Sequence, residues 1–166
     1  MSVPVKIRPA EERDVEEIHT MICELAEFEK MADQVVSTSA SVKNALFGLA
    51  PCASAIVAEL DDDGSGPQTV GFALYFQNYS TFTGKPGLYL EDVYVRPAFR
   101  KLGVGRALLK QLATIARDRC CGRFEWAVLD WNENAIAFYE GLGATVLSDW
   151  RIVRMDGDAM ERFVAS

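Results

Sequence analysis

Residues 89–112 read YLEDVYVRPAFRKLGVGRALLKQL, and this stretch decides the fold. Its first part, with Leu88, is rich in β-branched and aromatic residues and predicts a strand over 88–95. Further on, Val104, Leu108, Leu112, Ile115 and Ala116 fall on one stripe of a helix spanning 101–120. The loop between carries Gly103 and Gly105, where the missing Cβ lets backbone approach a ligand closely. Amides at a helix start have no partner within the helix, and the helix dipole adds partial positive charge there. Arg100, Lys101 and Arg106 crowd cationic side chains around Leu102 and Val104. The junction therefore suits a pyrophosphate. Its plain alternative is a loop that only starts a helix. A dinucleotide fingerprint needs Gly or Ala three residues after Gly105, where Leu108 stands, and the Gly-Lys-Ser/Thr of a Walker loop is missing.

Outward from this junction the periodicity alternates between strands and helices. Residues 3–8, 53–60 and 70–79 read as strands, the first stopped at Pro9. Val15, Ile18, Ile22 and Leu25 mark one face of a helix over 11–30. One more step of four lands on Glu29, a carboxylate that either reaches water or lines a cleft. Residues 40–48 predict a shorter helix ended by Gly48, and DDDGSGP at 61–67 a solvated turn. A strand over 124–129 precedes a helix over 132–141 capped by Asn132. Residues 144–155 are expected to give the last one or two strands, and 156–164 a terminal helix. The order is mixed α/β, with early antiparallel strands and a later strand–helix–strand unit.

The chain has 166 residues, 49% hydrophobic and 25% charged, which fits one globular domain over 1–166. A net charge of −7 disfavours nucleic acid as a partner and permits a cationic substrate. No apolar run approaches the ~20 residues of a membrane span. The first residues turn charged within a few positions, so neither a membrane nor a secretory leader is expected, and a cytoplasmic location is. Cys23, Cys52, Cys120 and Cys121 form no C-x-x-C pair and read as reduced thiols. With a single histidine, His19, no multi-histidine metal site is possible, and no metal is expected. Covalent catalysis at Cys23 with His19 lacks a third orienting group.

The spacing Arg100-x-x-Gly103-x-Gly105 resembles the acetyl-coenzyme A loop of the GNAT superfamily of N-acetyltransferases. The likeness continues through IRPA (7–10), ELAEFEKMADQV (24–35), VGFALY (70–75), YLEDVYV (89–95), AVLDWN (127–132) and AFYEGLGA (137–144), in family order. Within the superfamily the chain is similar to the diamine branch, the spermidine/spermine acetyltransferases and their thialysine-acetylating relatives. EFEKMADQV and AVLDWN are closer to the thialysine type. Lys101 departs from the pattern, standing where the family usually has Gly after the Arg.

The resemblance implies a GNAT fold, an α/β (α+β) mixed sheet of about six to seven strands splayed around the cofactor with about four to five flanking helices. The pantetheine arm would lie between the strand ending at Val95 and the strand 124–129. The backbone of Val93 and Val95, on either side of Tyr94, would pair with its amides, and a bulge in that strand would aim an N–H at the thioester carbonyl. Lys101 to Arg106 would hold the pyrophosphate, with Asn132, Glu133 and Ala135 as further cofactor contacts. Tyr139 matches the general acid that protonates the leaving thiolate; by spacing alone it is a half-buried aromatic beside Phe138.

An alkylammonium, with a pKa near ~10.4, must lose a proton before it attacks. Glu91 is the candidate base, acting through a water, against the simpler reading of a solvated strand carboxylate. Its neighbour Asp92 points to the opposite face of a regular strand, so a bulge is needed to bring both to one cleft. Substrate recognition would come from Phe28, Glu29, Glu91 and Asp92, with Glu125, Trp126 and Asp149. Phe28 stands where the spermidine type usually has Tyr, and Trp126 offers either a cation–π face or core packing. The implied activity is direct acetyl transfer, in a ternary complex, from acetyl-coenzyme A to a primary amine of a small cation. Acetylation of protein N-termini or lysines, and a non-catalytic acyl-coenzyme A module, are the competing readings. A homodimer is expected from the family.

Overall fold

Apolar residues recurring along 54–60, 68–80 and 85–95 need partners on both faces, and three long strands supply them. The chain, as a computed structural model, describes residues 5–61, 64 and 66–166. Residues 3 and 4 of the expected first strand, and 62, 63 and 65 of the expected turn, lie outside the described residues. Two compact units form, Met1–Ala127 and Val128–Ser166.

In the first unit, β1 (Lys6–Pro9), β2 (Ser54–Leu60), β3 (Gln68–Ser80), β4 (Lys85–Val95) and β5 (Arg123–Trp126) make one sheet in sequence order. The first four are antiparallel, and β5 runs parallel to β4. Parallel neighbours need a crossover, which helix α3 (Val104–Asp118) provides. Pro9 ends β1 rather than interrupting it, because an edge strand tolerates the missing N–H.

Helices α1 (Val15–Phe28) and α2 (Ser39–Phe47) cover the other face. There Val15, Ile18, Met21, Val42 and Leu46 pack with Ala55, Val57, Phe72 and Tyr94. The α3 stripe buries Val104, Leu108 and Leu112 completely. Beneath the start of α1, Arg8 holds both oxygens of Asp14 (2.6 and 2.8 Å) and also bonds Glu59 (2.7 Å). Both carboxylates are buried, and Arg8 supplies the counter-charge that burial demands.

The second unit carries α4 (Glu133–Gly141) and α5 (Gly157–Val164), each capped by the side chain of the preceding Asn132 or Asp156. The described residues contain five strands, not the expected six to seven. The shortfall lies at 144–155, which has no ladder partner. Apolar residues make a strand only where backbone groups find another strand, and here Val146, Leu147, Ile152 and Val153 are exposed. Five α-helices agree with the expectation. Among the described residues no helix is long and apolar enough to cross a membrane.

Helix α3 ends in a Schellman turn, in which Cys121 N–H donates to Ala116 O and Cys120 N–H to Arg117 O. The turn puts Cys120 at φ 56°, a left-handed conformation that a side chain strains. Cys120 is exposed, so its thiol contributes little packing. Cys120→Gly is expected to raise the unfolding free energy by about 0.5–1 kcal/mol, measured by urea denaturation.

Candidate active site

The site grows from an irregularity in β4. Leu74 of β3 faces Asp92, but the next residue, Tyr75, faces Leu90, so Glu91 is the extra residue of a β-bulge. A regular strand would put Leu90 and Asp92 on one face. The bulge reverses this. Leu90 stays on the α3 side, while Asp92 turns to the α1 side with Tyr89 and Tyr94.

Asp92 therefore meets the end of α1, where Glu29 is the C-terminal cap residue. Burial, then the nearby charges of Glu91 and Glu29, push the Asp92 carboxyl up to about 6. Burial also raises Glu29. Glu91 itself is exposed. Tyr89 is raised by burial and by the charges of Glu91 and Glu125, its neighbour across the ladder. Phe28, Glu29, Glu91, Asp92 and, through Tyr89, Glu125 thus share one acidic region. Trp126 sits across from Leu90, on the α3 side, with the Phe124 ring 4.8 Å away.

Beyond the bulge, the β5-side edge of β4 has no ladder partner among the described residues. The β4–β5 ladder stops at Leu90 and Trp126, while β4 continues along β3 to Val95. Arg96 N–H donates to Val70 O on β3, so by alternation Val93 and Val95 turn their backbone groups to the other side. Consistent with this, Val95 O accepts from Arg100 Nε (2.9 Å). Two backbone units facing outward at alternate residues are what an extended amide chain requires.

At the end of this edge stands the glycine loop. Gly103 is the N-cap of α3 at φ 85°, and no side chain caps the helix. The first helical bond is Ala107 N–H to Gly103 O, so the amides of Val104, Gly105 and Arg106 have no partner within the helix. A Cβ on Gly103 would meet nothing within 4 Å, which leaves the approach open. Lys101 and Arg106 are exposed beside it. Outward amides, an open approach and added cations fit the pyrophosphate of coenzyme A. Lys101 itself sits at φ 63°, which explains why glycine suits this position.

Two arginines tie these parts together: Arg100, read from the sequence as part of the pyrophosphate loop, and Arg96, which the sequence left unassigned. Arg96 bonds Glu17 (2.5 Å) and Glu24 (3.0 Å) of α1, and Arg100 lies over the rings of Phe28 (5.1 Å) and Tyr94 (5.7 Å). The acidic pair seven apart on α1 was the available signal for Arg96. In the second unit, Asn132 Oδ1 accepts from Ala135 N–H, so its side chain starts α4. Glu133 is exposed in the first turn. Tyr139 is half-buried on α4 with the Phe138 ring 5.6 Å away, and Asp149 is exposed.

Residues 16–144 match the acetyltransferase (GNAT) family. The chain is similar to the thialysine N-epsilon-acetyltransferase of Bos taurus, 40% identical over 162 residues that cover 94% of this chain and 95% of the relative. The L-ornithine N5-acetyltransferase of Arabidopsis thaliana is 33% identical, over 94% of this chain and 86% of its own. Among solved structures, an integron cassette protein of V. cholerae superposes with a TM-score of 0.79 at 25% identity, covering 100% of this chain and 99% of the other. Sequence identity along nearly the whole length and the bulged strand leading into a glycine loop agree, and the chain belongs to the GNAT family of acetyltransferases.

Proposed function

We propose that the chain acetylates a primary amine of a small cationic molecule, a diamine or a thialysine-like amino acid, with acetyl-coenzyme A as co-substrate. The observation that carries this is the carboxylate group at the bulge, Glu29, Glu91 and Asp92, set beside a cationic loop and a strand edge with no ladder partner among the described residues. The relatives named for thialysine and ornithine, both amines, point the same way.

In this reading the loop residues 100–106 hold the pyrophosphate, and Val93 and Val95 pair with the pantetheine amides. Glu29 and Glu91 draw in the ammonium. Asp92 takes its proton and passes it to water. Sequence alone favoured Glu91 for that step. Asp92 is the better base because its raised pKa shortens the distance to the ammonium's ~10.4. The neutral amine then attacks the thioester carbonyl, and a backbone N–H at the bulge stabilises the oxyanion. As the C–S bond breaks, Tyr139 gives the thiolate its phenolic proton. Asn132, Glu133 and Ala135 remain proposed cofactor contacts, and Asp149 a proposed substrate contact.

Gly103→Val tests the loop. A β-branched residue at φ 85° must distort the start of α3. The KM for acetyl-coenzyme A is expected to rise about tenfold, for a loss of roughly 1.4 kcal/mol of binding, with kcat at saturation little changed.

The function itself is tested by thiol release from acetyl-coenzyme A with thialysine, ornithine, spermidine, lysine and a peptide N-terminus as acceptors. A small dibasic amine is expected to be the best acceptor. Preference for the peptide would overturn the substrate class. The family likeness alone supports a homodimer, which gel filtration tests, and a cytoplasmic location.

A further inference from the structure

Arg100 belongs by sequence to the coenzyme A loop, yet its side chain reaches the amine side. Its Nε donates to Val95 O (2.9 Å), and its guanidinium lies over Phe28 (5.1 Å) and Tyr94 (5.7 Å). Phe28 is the last residue of α1 and Glu29 its cap, so this stack touches the turn that presents Glu29 to Asp92. The same helix is fixed one and three turns earlier by Arg96 on Glu24 and Glu17, and Arg100 contacts its Phe28–Glu29 end.

A guanidinium can serve two partners at once. Its face stacks on aromatic rings, while its N–H groups lie in the plane and point outward at the edge. Lysine has neither property. An exposed cation–π contact is weak, and Phe28 is 44% exposed. An anion bound at the edge N–H groups would pin the plane and thereby the ring beneath it.

We propose that Arg100 is a positioning residue that couples the two halves of the site: with its face on Phe28 and its edge on the pyrophosphate, filling the loop fixes Phe28 and Glu29 for the amine. The coupling rests on the acetyltransferase reading above. It makes the two ligands bind with positive cooperativity, and thermodynamic linkage makes the effect equal in both directions.

The test is calorimetry of the best acceptor amine on the whole protein, with and without saturating coenzyme A, which carries no acetyl group and permits no turnover. Coenzyme A is expected to tighten amine binding about fivefold in the native protein, and the amine to tighten coenzyme A by the same factor. Arg100→Lys keeps the charge and is expected to bring the factor close to one, with the amine KM raised by a larger factor than kcat is lowered. Phe28→Leu should do the same, Phe28→Tyr should restore the coupling, and the Arg100→Lys/Phe28→Leu double variant should lose nothing more. A factor of one in the native protein, full coupling in Phe28→Leu, or additive losses in the double variant would overturn the proposal. Failure to bind coenzyme A at all would instead overturn the acetyltransferase site, a distinct result.

Discussion

Tyr139→Phe should lower kcat by about a hundredfold or more while acetyl-coenzyme A affinity stays within about threefold. The reason is the leaving group. An alkyl thiol has a pKa near ~8.5, so the departing sulfur carries nearly a full negative charge unless a proton arrives as the C–S bond breaks. A phenol, at about 10, is a matched donor, and phenylalanine keeps the ring while removing that proton. Tyr139 Cβ and ring remain to pack beside Phe138, so α4 should fold as before. Steady-state kinetics with a calorimetric Kd for the cofactor separates the two quantities. An unchanged kcat would remove Tyr139 from the chemistry and leave it a packing residue.

Asp92→Asn should cost a similar factor, and its signature is in pH. With the carboxyl at about 6, kcat/KM for the amine is expected to fall below pH 6 as the base is protonated. The bound ammonium favours the carboxylate, so the same limb in kcat should lie lower. Asn at 92 should lower the rate and remove the limb. A variant with the native limb would return the role of base to Glu91.

Stability should move the other way. The Asp92 pKa is raised on folding, so the folded protein takes up a proton that the unfolded chain does not between the ordinary value of 3.8 and about 6. Native stability from this group is therefore present at low pH and lost as pH rises through 6. The Asn variant should be more stable than the native protein at pH 8, and the difference should vanish near pH 4. The cluster thus lowers stability at neutral and alkaline pH.

Much of the architecture was legible because it rests on periodicity. The α3 stripe, the Asn132 cap and the glycine loop involve neighbours in sequence, and each lies where the residues place it. The bulge was not locatable, since neither Gly nor Pro marks Glu91 and the two-to-one pairing is set by β3. It was only recognisable as a requirement for Glu91 and Asp92 to act together. Turns were harder where an unusual residue occupies a glycine's conformation, as Lys30, Lys101 and Cys120 do. Arg96 and Glu24 are 72 residues apart, beyond any local pattern. The over-reading of 144–155 has the opposite cause, an apolar-containing run for which no strand pairs among the described residues.

The central claim is that residues 100–106 bind the diphosphate of coenzyme A. Calorimetric titration of the purified protein with acetyl-coenzyme A tests it most directly. One molecule per chain is expected to bind with micromolar affinity, weakened about tenfold by Gly103→Val. A protein that gives no binding heat across a range of temperatures, and no protection from thermal unfolding, would contradict it.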